Sequence, residues 1–310
     1  MTKDLSKRSR HEVGGASGET ISDLRILPVK PAKAVEMPML THRYVLGCLL
    51  LFLVALSVSC VRAPAGKIPI STLSYTEKGT ENRSLIVLLP GIRDQLDKYE
   101  RQGFVDALRN RGLAIDLIAV DAHFGYYTER SIVERLKVDV VEPAKAQGYN
   151  KIWLVGVSLG GLGSLLYSMH YPNDVEGALI LAPYLGESDL ISEIAQAGGP
   201  ANWQPGTLSE EVGFRELWAW LKNYNSDNND LPLLYLGYGR WDKFETAGSL
   251  LASILPPEHV YVISGLHNWW TWRKLWGKAL DEEIFTRAAL HSRTRLASSW
   301  GSGIELGLGY

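Results

Sequence analysis

Cysteine is nearly missing from this sequence: there are 2 among 310 residues, Cys48 and Cys60. Both precede the first strand pattern, so the region that folds has no disulfide framework and no cysteine-based metal site. Charge of one sign is missing too, since 32 Lys and Arg stand against 34 Asp and Glu, a net charge of -2. With no basic excess, nucleic acid is not an expected partner. Apolar runs of full membrane-spanning length are also lacking. The longest, around residues 45–56, extends to about 15 to 17 residues where a spanning helix needs about 20. What is present is ordinary for a globular protein: 46% hydrophobic and 21% charged residues, on a chain long enough for one large core.

Residues 1–38 are polar and lack apolar periodicity, so they read as a disordered or mis-started N-terminus, with Met37 and Met39 each offering a start. Residues 39–60 have the pattern of an export signal or membrane anchor. His42 and Arg43 form a basic start, residues 45–56 an apolar core, and Ser57-Val58-Ser59 a small-x-small end. Cys60 resembles the lipidated cysteine of a bacterial lipoprotein, although Leu56 lies four residues before it rather than three. The expected location is therefore the cell envelope, with membrane contact through this segment. Residues 61–72, with Pro64 and Pro69, read as a tether.

From residue 73 to 291 strands and helices alternate. Residues 84–89, 114–120, 152–155, 175–181, 231–236 and 259–263 are apolar runs of strand length without polar alternation, as a parallel sheet covered on both faces requires. Helical patterns occupy 95–111, 129–147 (where Pro143 should kink the helix), 162–170, 245–254 and 272–291. Residues 185–230 interrupt the rhythm with two expected helices, 187–197 and 209–223. An insertion of that length between strands reads as functional, a helical lid. Residues 292–310 form a Gly- and Ser-punctuated tail.

The chemistry centres on Gly156-Val157-Ser158-Leu159-Gly160. An apolar strand pattern precedes this G-x-S-x-G and a helical one follows it, the context of a nucleophile elbow. Side chains at the two glycine positions would collide with the neighbouring strand or helix. A serine hydroxyl needs a base to take its proton, and the base needs a third group to orient it. Asp242 and His267 each follow a strand pattern, in the order serine, acid, histidine. Asp242 also fits a helix N-cap, and Glu245 is the substitute acid. His170, His259 and His291 read as structural. His123, in a loop at a strand's end beside Tyr126 and Tyr127, reads as pocket-lining or as packing.

On these residues, together with the loop Pro90-Gly91-Ile92, the sequence resembles the α/β-hydrolases over about residues 75–290. The resemblance implies a mostly parallel sheet with helices on both faces. It also implies an oxyanion hole formed by the backbone N–H groups of Leu159 and Ile92, although many members carry His-Gly where this chain has Pro90-Gly91. The insertion falls where family members often carry a lid. Its Trp203, Trp218 and Trp220, with Trp269, Trp270 and Trp272 beside the histidine, suggest an aromatic pocket, with packing of the lid and last helix as the alternative.

The function expected is serine hydrolysis of a small-molecule or lipid acyl ester or thioester through an acyl-enzyme, with no cofactor or metal. Two alternatives share the fold: an acyltransferase that passes the same acyl group to an alcohol or amine, and a non-catalytic envelope binding protein.

Overall fold

A computed structural model describes residues 65–77, 83–208, 213–225 and 230–286. Close contacts divide the chain between Val61 and Arg62, and all described residues fall in the second unit. The expectations for residues 1–60 and 292–310 concern residues outside those described.

Seven strands form one sheet: β1 (Thr72–Tyr75), β2 (Ser84–Leu89), β3 (Asp116–Val120), β4 (Lys151–Val157), β5 (Gly177–Leu181), β6 (Leu233–Gly239) and β7 (Val260–Ile263). Their order is β1-β3-β2-β4-β5-β6-β7, and every pairing is parallel except β1 with β3. Every residue of β5 is buried, as are all but the first of β2 and of β4. These strands have helices on both faces, so nothing in them alternates.

The edge strand β1 has no counterpart among the sequence expectations. Its four residues, Thr-Leu-Ser-Tyr, alternate between exposed and half-buried. That pattern is too short and too polar to stand out from a linker. The chain just before it is bound to the domain rather than free. Ile70 is buried and donates its N–H to Asp139 Oδ2 at 2.8 Å, while the Lys67 backbone exchanges two hydrogen bonds with the Tyr126 hydroxyl.

Helices follow each crossover. The pattern at 95–111 divides into α1 (Lys98–Arg101) and α2 (Phe104–Arg109) because Gly103 takes a left-handed φ of 75° between them. After α3 (Phe124–Thr128) comes α4 (Ile132–Leu136), a π turn at Lys137–Val141 and α5 (Glu142–Ala146). The kink expected at Pro143 is this π turn. A proline ring cannot sit against the carbonyl four residues back, so the preceding turn widens by one residue. α6 (Leu159–His170) follows the elbow. The insertion between β5 and β6 holds α7 (Ser188–Gln196) and α8 (Phe214–Leu221). α9 (Glu245–Ala252) and α10 (Trp269–Asp281) complete the described elements.

The insertion is held by its own polar contacts as well as by apolar burial. Glu193 of α7 accepts from Trp203 Nε1 at 2.8 Å and from Arg215 Nη1 of α8 at 2.9 Å. The Arg215 hydrogen bonds hold the Glu193 carboxyl below the usual glutamate range. Trp218 Nε1 donates to the Leu185 carbonyl at 2.9 Å, tying α8 back to the end of β5.

Candidate active site

Ser158 stands between β4 and α6 with φ 52° and ψ -112°, a left-handed conformation that an L-residue adopts at a cost of about 1–3 kcal/mol. The two glycines explain how the chain tolerates so tight a turn. A Cβ on Gly156 would lie 2.1 Å from the Gly160 carbonyl oxygen, and one on Gly160 would lie 2.0 Å from that of Leu89 in β2. The turn is bonded on both sides. Ser158 N–H donates to Leu181 O of β5 at 2.9 Å, and its carbonyl accepts from Tyr184 N–H at 3.1 Å.

Asp242 and His267 come from the loops after β6 and β7. Those loops approach closely at Gly239, where a Cβ would sit 2.3 Å from Gly265 O. Arg240 N–H to Ile263 O (2.8 Å) and Trp241 N–H to Gly265 O (3.0 Å) lace them together. The result is a continuous hydrogen-bonded chain. His267 Nδ1–H donates to both Asp242 oxygens, at 2.9 and 3.0 Å, and Nε2 accepts from Ser158 Oγ at 3.0 Å. This tautomer is the one the partners dictate, since a carboxylate accepts only and the serine hydroxyl has a proton to give.

The Asp242 side chain is 0% exposed, and its Oδ1 also accepts the Phe244 N–H at 2.9 Å. It therefore shapes the turn leading to α9 while orienting the imidazole; the helix N-cap itself is Phe244, so Asp242 serves as the acid and not as the cap. Glu245 lies in the first turn of α9, and the carboxylate on His267 is that of Asp242. The imidazole edge meets Phe244 (centroids 4.9 Å apart, 78°) and Trp272 (5.0 Å, 89°), which fix its plane.

Leu159 is the first residue of α6, where helix N–H groups have no acceptor within the helix. The Pro90-Gly91-Ile92 turn runs along the other side of the serine, since a Cβ on Gly91 would be 3.7 Å from Ser158 Cβ. The Ile92 side chain is 48% exposed.

Asp94 closes this turn by donating its N–H to Gly91 O at 3.2 Å. Its carboxyl accepts from Trp269 Nε1 at 3.3 Å and lies 3.9 Å from Lys98 Nζ. Burial raises the Asp94 pKa above the ordinary value, more than the Trp269 and Lys98 contacts lower it. Trp269 is thus a brace between the histidine-bearing loop and the turn carrying Ile92. Its ring is held edge-on by Tyr99 at 5.2 Å and Phe104 at 5.6 Å. Trp269→Phe keeps that packing but removes the indole donor. We expect a fall of roughly 10-fold in kcat with KM changed less than twofold, because a loosened turn weakens a transition-state contact. An unchanged kcat would show that the turn holds without the brace.

A cleft of about 500 Å³ opens beside Leu159. Its lining differs from the sequence expectation in all four named residues. His123 caps α3, accepting from Gly125 N–H at 3.1 Å, and its ring meets that of Tyr126 at a tilt of 42°. Tyr126 is fully buried and engaged with Lys67. Trp203 is buried within the insertion on Glu193, and Trp269 braces Asp94. The aromatic residues of the cleft are Phe124, Tyr127, Tyr184 and Phe214, none singled out as such from the sequence except Tyr127 as a neighbour of His123. Large indoles carry so much apolar area that they are drawn into cores, which is where Trp203, Trp218 and Trp276 lie.

The fold resembles those of solved hydrolases. A ferulic acid esterase aligns over 73% of this chain and 96% of its own length, at 12% identity and a TM-score of 0.51. Est1E from Butyrivibrio proteoclasticus covers 71% of this chain and 95% of its own at 14% identity and 0.48. A monoacylglycerol lipase from Paleococcus ferrophilus covers 70% and 98% at 17% and 0.45. The sequence matches no protein-family model and no curated protein. Likeness at such identities is one of fold, and it agrees with the sheet order and elbow described above: the chain has the α/β-hydrolase fold.

Proposed function

We propose that the protein is a serine hydrolase that cleaves carboxylic esters or thioesters through an acyl-enzyme. One observation carries the proposal: Ser158, His267 and Asp242 form an unbroken hydrogen-bonded chain on a strained elbow at the carboxyl edge of the sheet.

Ser158 Oγ attacks the acyl carbon while His267 Nε2 takes its proton. The resulting imidazolium is stabilised by the buried Asp242 carboxylate. The carbonyl oxygen, now negative, accepts from the N–H groups of Leu159 and Ile92. The intermediate collapses as His267 returns the proton to the departing alkoxide or thiolate, leaving the acyl group on Ser158. Water then attacks with His267 again as base, and the acid leaves as Ser158 regains its proton. The test is covalent labelling by a fluorophosphonate together with an initial burst of nitrophenol, equal to the enzyme concentration, from a nitrophenyl ester. Neither signal appearing would reject the reading.

We extend the proposal to location. Residues 39–60 export the protein, and Cys60 carries the lipid that holds it to the membrane. Support comes from the basic start, apolar core and small-residue end of that segment. Among the described residues no helix is long and apolar enough to cross a membrane. Cys60→Ala is expected to move the folded domain from the membrane to the soluble fraction of the envelope. Full-length, unprocessed protein in the cytosol would contradict export.

A further inference from the structure

We propose that the cleft beside Leu159 is the acyl site and that it selects linear, apolar acyl chains of roughly eight to twelve carbons. This rests on the serine hydrolase reading and names its substrate class.

The floor of the cleft is one stripe of α6: Leu159, Leu162 and Leu166, with His170 at its end. Positions three and four apart stack along one face of a helix, so these side chains form a straight row rather than a bowl. The row starts at the residue next to the nucleophile. The lining also includes Tyr127 and Val133, Tyr184 from the turn after β5 and Phe214 from the insertion. Tyr184 is tied to the elbow by its N–H to the Ser158 carbonyl, so the wall begins where the acyl carbon would be attached. Its ring meets Phe244 at 5.4 Å, which in turn meets His267, and Phe214 at 5.3 Å. Ring contacts therefore link His267 through Phe244 to the cleft residues Tyr184 and Phe214.

His267 must protonate the leaving group, and it arrives from beyond β7, on one side of the elbow strand β4. Phe124, Tyr127 and Val133 follow β3 on the other side of β4, while Tyr184 and Phe214 follow β5 on the histidine's side, so the cleft is walled from both sides. Its α6 row starts at Leu159, whose N–H donates to the acyl oxygen, so the acyl chain lies along the row while the leaving alcohol or thiol departs toward His267.

The surface of the cleft is apolar where the chain would lie. Of the polar side chains in the lining, Thr128 Oγ1 donates to Gly125 O at 2.9 Å, His170 Nδ1–H to Leu166 O at 2.8 Å, and the Tyr184 hydroxyl to Glu187, which with Arg130 makes the charged part of the lining. The Tyr127 hydroxyl is buried away from the opening and has no partner among the described residues. Along the stripe of Leu159, Leu162 and Leu166 a hydroxylated or charged chain would lose its water without compensation. Length follows from the helix rise: 11 residues from Leu159 to His170 span about 16 Å. An extended alkyl chain advances about 1.25 Å per carbon, from C–C bonds near 1.5 Å, so the row ends near the thirteenth carbon and holds a chain of about twelve. Leu166 lies about 10 Å along the row, near the eighth carbon.

Two series of esters test this. The first varies the acyl group from acetyl to hexadecanoyl on nitrophenol, and the second varies the alcohol from ethyl to dodecyl on acetate. Each methylene entering an apolar site is worth at most about fourfold. The expected kcat/KM rises roughly 30-fold from butanoyl to an optimum between octanoyl and dodecanoyl, within that ceiling, while the alcohol series changes by less than about fivefold. Leu166→Trp should lower kcat/KM for dodecanoyl by at least ~10-fold and leave butanoyl within about threefold, moving the optimum to shorter chains. Leu166→Ala, which adds no bulk, should keep the optimum length and lower long-chain kcat/KM a few-fold. Fluorophosphonate labelling of each variant reports that the site is intact.

An acetyl optimum, a dependence on alcohol length alone, or a Leu166→Trp effect equal for all esters would each overturn the acyl groove while Ser158 still labels. Loss of both labelling and turnover in the wild-type protein would instead remove the hydrolase reading, and the groove with it.

Discussion

Replacing Ser158 with alanine is expected to abolish fluorophosphonate labelling and lower kcat by about 10⁶-fold, the scale seen when a triad nucleophile is removed. The substitution deletes one oxygen and leaves the backbone problem unchanged. Alanine pays the same cost as serine for the left-handed φ of 52°, and the elbow's hydrogen bonds to Leu181 and Tyr184 come from main-chain atoms. The thermal midpoint should therefore stay within about 2 °C of wild type, a shift of at most about 1 kcal/mol for a domain of this size. Retained labelling would place the nucleophile elsewhere and dissolve the proposed chemistry. A large fall in the midpoint would mean that the hydroxyl is structural.

For Asp242→Asn the expected loss is about 10⁴-fold in kcat/KM with the fold retained. In the native protein both carboxylate oxygens face His267 Nδ1, which fixes the tautomer with its lone pair toward Ser158. An amide can present its N–H₂ instead, which favours a proton on Nε2 and leaves nothing to accept from the serine. It also provides no negative charge for the imidazolium that forms as Ser158 attacks. The amide oxygen can still accept from Phe244 N–H, so the turn into α9 survives. Glu245→Gln, measured beside it, should stay within about threefold of wild type, because Glu245 belongs to the first turn of α9 and the carboxylate bonded to the imidazole is that of Asp242. If the Glu245 variant is the crippled one, the acid has been misassigned.

The parallel core was legible residue by residue. The run at 84–89 is β2 to the residue, and those at 152–155 and 175–181 lie within or around β4 and β5. Strands buried on both faces have to be apolar throughout, and that needs no knowledge of their neighbours. The elbow was legible for a similar reason, since its geometry is local and only glycine fits at 156 and 160. Asp242 and His267 could be proposed from their places after strands, in an order this fold imposes. Several things could not be read this way. The choice of Asp242 over Glu245 rests on a 2.9 Å contact between loops 25 residues apart in sequence, brought together by the approach of Gly239 to Gly265.

The pocket was the largest departure. Ten tryptophans drew attention to Trp203 and Trp269, yet a tryptophan's sequence neighbours do not say whether its ring faces a cleft or a core. Here Glu193 and Asp94 supply acceptors for their indole N–H groups and draw the rings into packing and bracing roles. The cleft fell to Tyr127, Tyr184, Phe214 and one stripe of α6, contributed by three segments far apart in the chain. The edge strand β1 was lost because a four-residue strand paired on one side carries almost no hydrophobic signal. By itself, then, the sequence determined the fold class, the nucleophile's turn and the candidates for acid and base, because those depend on burial and local sterics. Only the tertiary structure decided which acid meets the histidine, what braces the Ile92 turn and which side chains line the cleft, because each of these is a meeting of distant segments whose local patterns allow more than one partner.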